Sequence, residues 1–302
     1  MNWTTVSPLE FQPVTSARFP RQPLHHLDTL WIQVAGTLCN LECTHCFVAS
    51  GPRNHRHGMM SRAEVRRRVA ESLPLGVKEF YFTGGEPFAH PEIVEILADT
   101  LEHGPSTALT NGTLFGEECV ARIAALAESS RYALEVRVSL DGPTCAAHDA
   151  IRGAGSFARA LAGLKRCARQ GLLPIVTATL DVEEDPAQAR AAYLEMLRGA
   201  GIARPRLKLL PRFRIGREIQ RSGGYGRTDT LADLPSNAFD PNRLQCGACR
   251  AVTSRGVFVC PLLVDEPGGR MGDRLADALG SFPLGHGACF TCYTTGMTCA
   301  NE

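Results

Sequence analysis

The stretch Gly36–Phe47, GTLCNLECTHCF, places three cysteines at C-x3-C-x2-C: Cys39, Cys43 and Cys46. Thiolates this close in a chain hold a metal centre, and three of them leave one coordination position for another ligand. Structural zinc accounts for the pattern if His45 or His55 completes the set. The side chains of the neighbours His45 and Cys46 diverge, which suits one tetrahedral ion poorly. A [4Fe–4S] cluster with three thiolate-bound irons and one open iron is the other reading, because an open position is how a metal site accepts a substrate.

Six further cysteines lie late in the chain, as Cys246, Cys249 and Cys260 (C-x2-C-x10-C) and then Cys289, Cys292 and Cys299 (C-x2-C-x6-C). A zinc ribbon uses paired C-x2-C motifs, so zinc competes with iron–sulfur here too. Cys119, Cys145 and Cys167 stand alone and read as small apolar side chains. A disulfide framework does not suit 302 residues whose start, MNWTTVSPLEFQPV, lacks the basic-then-apolar layout of an export signal. The formal net charge of +1 argues for neither a nucleic-acid nor a membrane partner, and no apolar run has transmembrane length. A soluble, cytoplasmic protein is expected.

Positioning these residues falls to a strand–helix alternation. Strands are expected at Leu30–Ala35, Glu79–Gly84, Ser106–Gly112, Glu135–Gly142, Ile175–Asp181 and Arg206–Pro211. Helices are expected near Ser61–Leu73, Pro91–His103, Gly116–Ser129, Ser156–Gln170 and Asp185–Gly199, with Ser61 and Glu64 as a capping box. Such alternation implies a parallel α/β sheet with helices outside, and six strands make an open, partial (β/α)6 barrel rather than a closed one. The alternation stops near Pro211, and glycine-rich loops follow. The expected organisation is an N-terminal extension (1–29), the partial barrel (30–237) and a small cysteine-rich, metal-stapled domain (238–302). The first cysteine loop follows the first strand directly, at the end where α/β barrels place their chemistry.

The later strands end in TGGEP (Thr83–Pro87), LTNG (Leu109–Gly112) and SLDG (Ser139–Gly142), followed by HDAIRG (His148–Gly153). Taken singly, each reads as a turn. RNHRHG (Arg53–Gly58) reads as a solvated surface turn, and Arg66–Arg68 as the charged outer face of a helix.

Taken together, the cysteine spacing and its place after the first strand resemble the radical S-adenosylmethionine enzymes, and the resemblance extends over most of the chain. It implies that the missing ligand is left for the amino and carboxylate groups of S-adenosylmethionine. TGGEP looks like the family's GGEP motif, in which the backbone of Gly84, Gly85 and Glu86, with Pro87 closing the turn, meets the methionyl amino group. Asn111 joins the expected cofactor contacts. Ser139 and Asp141 are implied at the methionyl carboxylate or ribose, and Arg152 as a bidentate donor to the carboxylate. Leu180 is a candidate for packing on adenine, although core is the plainer role.

The string SLDGP…HD.IRG.GSF resembles the subgroup with C-terminal auxiliary clusters, the SPASM or twitch proteins, and Gly256–Leu263 resembles the hairpin that opens that domain. Two fully cysteine-ligated auxiliary clusters need eight thiolates and six are present. One auxiliary [4Fe–4S] cluster drawing four ligands from the six is therefore expected, with two partly ligated clusters as the alternative. The implied activity is oxidation or crosslinking of a peptide or protein side chain. The alternatives are the same radical chemistry on a small metabolite, by dehydrogenation or rearrangement, and a non-catalytic zinc- or cluster-binding regulator. A reducing partner such as flavodoxin or ferredoxin is implied. With about thirty residues before the first strand, too few for a fused leader-peptide-binding domain, a stand-alone precursor-peptide-binding protein is the expected source of that function.

Overall fold

The structure is a computed structural model that describes residues 18–296 except 182, 233 and 236. The expected ligand Cys299 and residues 1–17 of the expected extension lie outside the described residues. In chain order the first half runs β1 (Arg21–Gln22), β2 (Thr29–Gln33), α1 (Arg62–Ser72), β3 (Glu79–Thr83), α2 (Ile93–Leu101), β4 (Ser106–Thr110), α3 (Glu117–Ser129) and β5 (Leu134–Ser139). It continues with α4 (Cys145–Arg152), α5 (Ser156–Arg169), β6 (Ile175–Leu180), α6 (Pro186–Gly199), β7 (Arg206–Pro211) and α7 (Ile219–Ser222). The cysteine-rich end adds β8 (Cys249–Thr253), β9 (Gly256–Phe258), β10 (Arg270–Gly272), β11 (Phe282–Pro283) and α8 (Gly287–Thr295).

Strands β2 to β7 lie side by side in chain order, every pairing parallel, which is the open (β/α)6 arrangement expected. Each lies within three residues of its expected bounds. Period-2 alternation explains the layering. On β2, Leu30 and Ile32 join the core beneath α1 and α2, whereas Trp31 faces the interior and stacks on Tyr81 of β3, centroids 4.4 Å apart. α1 starts where Ser61 Oγ accepts the Glu64 N–H at 3.2 Å. α2 buries Ile93, Ile96, Leu97 and Leu101 along one face.

The segment expected as a separate unit from residue 238 extends this sheet. β8 pairs parallel with β2, and β9 and β10 continue antiparallel beyond it to give nine strands in the order β10-β9-β8-β2-β3-β4-β5-β6-β7. β11 pairs antiparallel with β1, and Arg21 Nε donates to Ser281 Oγ at 2.9 Å, so the two ends of the described chain hold each other. Among the described residues no helix is long and apolar enough to cross a membrane.

Candidate functional site

The loop from Val34 to Gly51 carries the first three cysteines and has no helix; its backbone is held by its neighbours. The Gly85 N–H donates to Gly36 O at 2.8 Å, Glu86 N–H to Leu38 O at 3.0 Å and Thr44 N–H to Ile151 O at 2.9 Å. Gly85 is required: a Cβ there would lie 1.8 Å from Leu38 O. This contact welds the strand end after β3 to the loop after β2.

Cys39, Cys43 and Cys46 line one cavity at the C-terminal ends of the parallel strands, together with Gly84, Gly85, Asn111, Ser139 and Arg152. N–H groups point at their sulfurs: Leu41 N–H to Cys39 at 3.4 Å, Ser50 N–H to Cys46 at 3.3 Å, Asn111 Nδ2 to Cys39 at 3.8 Å and Arg152 Nη1 to Cys43 at 3.9 Å. Burial pushes the Cys39 thiol up to about 12 and raises that of Cys43. Thiols so raised stay protonated at neutral pH unless a metal centre draws the protons off. Sulfurs that accept N–H bonds around a shared space have the donor set of a thiolate-held cluster. Among the described residues no three His, Cys, Asp or Glu side chains converge as a single metal ion requires. His55 is exposed and does not line the cavity, whereas His45 does.

Asp141 lies behind the cavity wall as a hub. It is 3% exposed and accepts from His45 Nε2 at 2.8 Å, Arg152 Nε at 2.5 Å and Thr179 N–H at 2.9 Å. Burial alone would raise its carboxyl, but the Arg152 guanidinium and His45 outweigh that and hold it well below the usual carboxylate range. The buried Nδ1 of His45 has no hydrogen-bond partner among the described residues. Glu86 is also a brace. Its carboxylate accepts from Thr110 Oγ1 at 2.6 Å, Asn111 N–H at 2.7 Å and Phe88 N–H at 3.0 Å, tying the ends of β3 and β4 together. Glu86, Pro87 and Asp141 thus stand behind Gly84, Gly85, Asn111, Ser139 and Arg152, which reach the cavity surface. Leu180 is buried core, 6% exposed.

The late cysteines gather in part. Cys246, Cys260, Cys289 and Cys292 line one small pocket with Leu244, Leu262, Leu263 and Leu284. Burial pushes the Cys246 thiol up to about 12 and raises that of Cys289 well above its ordinary value. Cys249 begins β8 and is buried in the core cluster that also holds Trp31, Cys260 and Cys289, but it does not line this pocket. Leu262 lines both this pocket and the first cavity, so the two spaces adjoin across one side chain.

The expected Arg152 arrives on a helix that no motif announces, and three residues after β7 enter the site without any signal in the motifs. Helix α4, capped where Thr144 Oγ1 accepts the Ala147 N–H at 3.3 Å, delivers Arg152 from its last turn. After β7, Arg212, Phe213 and Arg217 reach the cavity. Arg212 pairs with Asp181, and its buried Nε has no hydrogen-bond partner among the described residues. The turn RNHRHG also carries structure: His57, 2% exposed, pairs with Asp265 at 3.2 Å and so connects the cysteine loop to the C-terminal segment.

The family model for the radical SAM superfamily matches residues 34–185, about half of the chain. The mycofactocin maturase MftC of Mycobacterium tuberculosis is 31% identical over 202 residues, 66% of this chain and 46% of that protein. The GTP 3′,8-cyclase of Mycobacterium ulcerans is 31% identical over 270 residues, 86% of this chain and 69% of the cyclase. The chain spans about a third to a half of the length of the mycofactocin maturases it matches. Among solved structures, Streptococcus suis SuiB bound to its precursor peptide SuiA shares the fold, with a TM-score of 0.61 at 16% identity over 86% of this chain and 66% of SuiB.

Proposed function

The chain belongs to the radical SAM superfamily, and on that premise we propose that it cleaves S-adenosylmethionine reductively and abstracts hydrogen from a peptide or protein side chain, which it oxidises or crosslinks. The observation that carries this reading is the convergence of Cys39, Cys43 and Cys46 on the cavity formed at the strand ends. When bound, the open-iron [4Fe–4S] cluster supplies the electron that breaks the sulfonium C–S bond, leaving a 5′-deoxyadenosyl radical.

The residues then divide the remaining work. Cys39, Cys43 and Cys46 hold the cluster, and the N–H groups aimed at their sulfurs stabilise thiolate charge. The N–H groups of Gly85 and Glu86 are spent on loop carbonyls, so this strand end offers carbonyl oxygen, the acceptor that an ammonium group needs. Arg152, with Nε committed to Asp141 and Nη1 aimed at the Cys43 sulfur, lines the cavity and suits a carboxylate there. Asn111 and Ser139 add polar contacts on the same wall. Asp141 positions Arg152 and His45, and Glu86 positions Asn111.

Cys246, Cys260, Cys289 and Cys292 would be the four ligands of one auxiliary [4Fe–4S] cluster, within an auxiliary unit from residue 238 that follows the barrel of residues 30–237. Leu262 lines both spaces, so a cluster on these cysteines would adjoin the first cavity. An external one-electron donor such as flavodoxin or ferredoxin would reduce the first cluster, and the setting is the cytoplasm.

A peptide substrate is supported by the maturase among the relatives and by SuiB, whose fold holds a precursor peptide. A small-metabolite substrate is the second reading, and the match to the GTP 3′,8-cyclase is the observation on its side. Anaerobic turnover with a deuterated peptide encoded beside the gene decides between them. Deuterium in the recovered 5′-deoxyadenosine and a mass change in the peptide support the first; unlabelled 5′-deoxyadenosine and an unchanged peptide refute it.

A further inference from the structure

β7 is the outermost parallel strand, five positions from β2 in the sheet order. The chain leaving it, Phe213–Glu218 (FRIGRE), nevertheless crosses to the cysteine loop that follows β2. Gly216 permits the approach: its φ is +62°, and a Cβ there would lie 2.4 Å from Phe47 O and 2.5 Å from Cys46 O. Arg217 then fastens the loop. Its backbone N–H donates to Cys46 O at 2.9 Å, Nε to Cys43 O at 2.9 Å, Nη1 to Ala49 O at 3.3 Å and Nη2 to Ser50 O. These carbonyls bracket Cys46, and Ser50 in turn aims its N–H at the Cys46 sulfur at 3.3 Å.

All of these partners are neutral. The other arginines that line the cavity have carboxylates: Arg152 has Asp141 and Arg212 has Asp181. Among the described residues none pairs with Arg217, so it brings an uncompensated positive charge to a loop that would carry three thiolates.

Resting on the reading of this loop as a cluster holder, we propose that Arg217 is a positioning residue for that cluster, clamping its loop from the far edge of the sheet and counterbalancing its negative charge. The guanidinium fork is what meets three carbonyls at once; an ammonium carries the charge without the fork. A nearby cation favours the more negative, reduced state, so loss of the charge makes reduction harder.

The test compares Arg217→Gln and Arg217→Lys with the wild type, after thermal melting has shown each to be folded. In the metal-free protein, anaerobic iodoacetamide labelling of Cys43 and Cys46, mapped by mass spectrometry, should be several-fold faster in both variants. In the reconstituted protein, the potential of the Cys39/Cys43/Cys46 cluster should fall in Arg217→Gln, with reduction about tenfold less favourable, or about 59 mV for one electron. Arg217→Lys should keep the wild-type potential. Wild-type labelling or a wild-type potential in folded Arg217→Gln overturns the proposal. Should the Gln variant not fold, the Lys variant decides, because wild-type labelling there removes the clamp. A wild-type protein that takes up no iron on these cysteines refutes the proposed function instead, and the labelling arm still tests the clamp.

Discussion

His45 Nε2 lies 2.8 Å from Asp141 Oδ2, so the residue before the last cysteine of the loop is fastened to the end of β5, 96 positions further along the chain. The same carboxylate receives Arg152 Nε and the Thr179 N–H. One buried acid therefore sets the loop, the helix that follows β5 and the backbone of β6 relative to one another.

Asp141→Asn removes the negative charge that faces Arg152 and His45 and leaves Arg152 buried without its counter-ion. A loss of about 3–5 kcal/mol in urea unfolding is expected, as for breaking any buried ion pair. The folded-state carboxyl is depressed, so its stabilisation is present above the unfolded value, about 3.9, and is lost as pH falls through the lower folded value. The wild-type advantage over Asp141→Asn should shrink in that acid window and stay constant above it.

His148 gives a second pH signature. Its Nδ1 accepts the Asp141 N–H at 3.1 Å, and burial pushes the imidazole down to about 4. Between about 6.5 and 4 the unfolded chain binds the proton and the folded chain does not, so stability falls as pH is lowered through that range. Thermal melting against pH should show this slope in the wild type and a shallower one in His148→Gln.

Gly85→Ala tests the weld between loop and strand end. The new Cβ meets backbone rather than a flexible side chain, so about 1–3 kcal/mol of stability should be lost in denaturant unfolding, as for an overpacked core. Iron uptake at the Cys39 loop should fall with it, whereas the control Gly280→Ala, where nothing lies within 4 Å, should change neither.

Six parallel strands and the cysteine loop were legible because each rests on a local signal: β-branched runs, helix caps and close cysteine spacing. α4 was not expected, since its eight residues follow a Gly-Pro pair and only Thr144 marks the start. Spacing groups Cys249 with Cys246, yet Cys249 does not line the pocket that Cys246 shares with Cys260, Cys289 and Cys292, and no sequence period reports which thiols a hairpin turns toward one pocket. The end of the alternation, the glycine-rich loops and the clustered cysteines point to a small C-terminal domain, but that β8 joins the sheet beside β2 is a pairing between residues about two hundred positions apart, which leaves no local trace. Arg217 was invisible for the same reason, because its role is set by contacts 167 to 174 positions away.

Iron analysis of single cysteine variants tests the auxiliary ligand set. Reconstituted wild type should hold about eight irons, four on each cluster. Cys260→Ala should bring the count to about four. Cys249→Ala should keep about eight, because this side chain does not line the pocket. Loss of iron in Cys249→Ala equal to that in Cys260→Ala would contradict the assignment.

The central claim is that the thiols of Cys39, Cys43 and Cys46 hold the centre that cleaves S-adenosylmethionine. Its most direct test is anaerobic incubation of the reconstituted protein with S-adenosylmethionine and dithionite, with 5′-deoxyadenosine and methionine quantified for the wild type and for the triple alanine variant. The wild type should form both products in equal amounts, and only with reductant. The folded triple variant, retaining the iron of its auxiliary site, should form neither. A triple variant that still cleaves S-adenosylmethionine, or a wild type that binds zinc and forms neither product, would contradict the account.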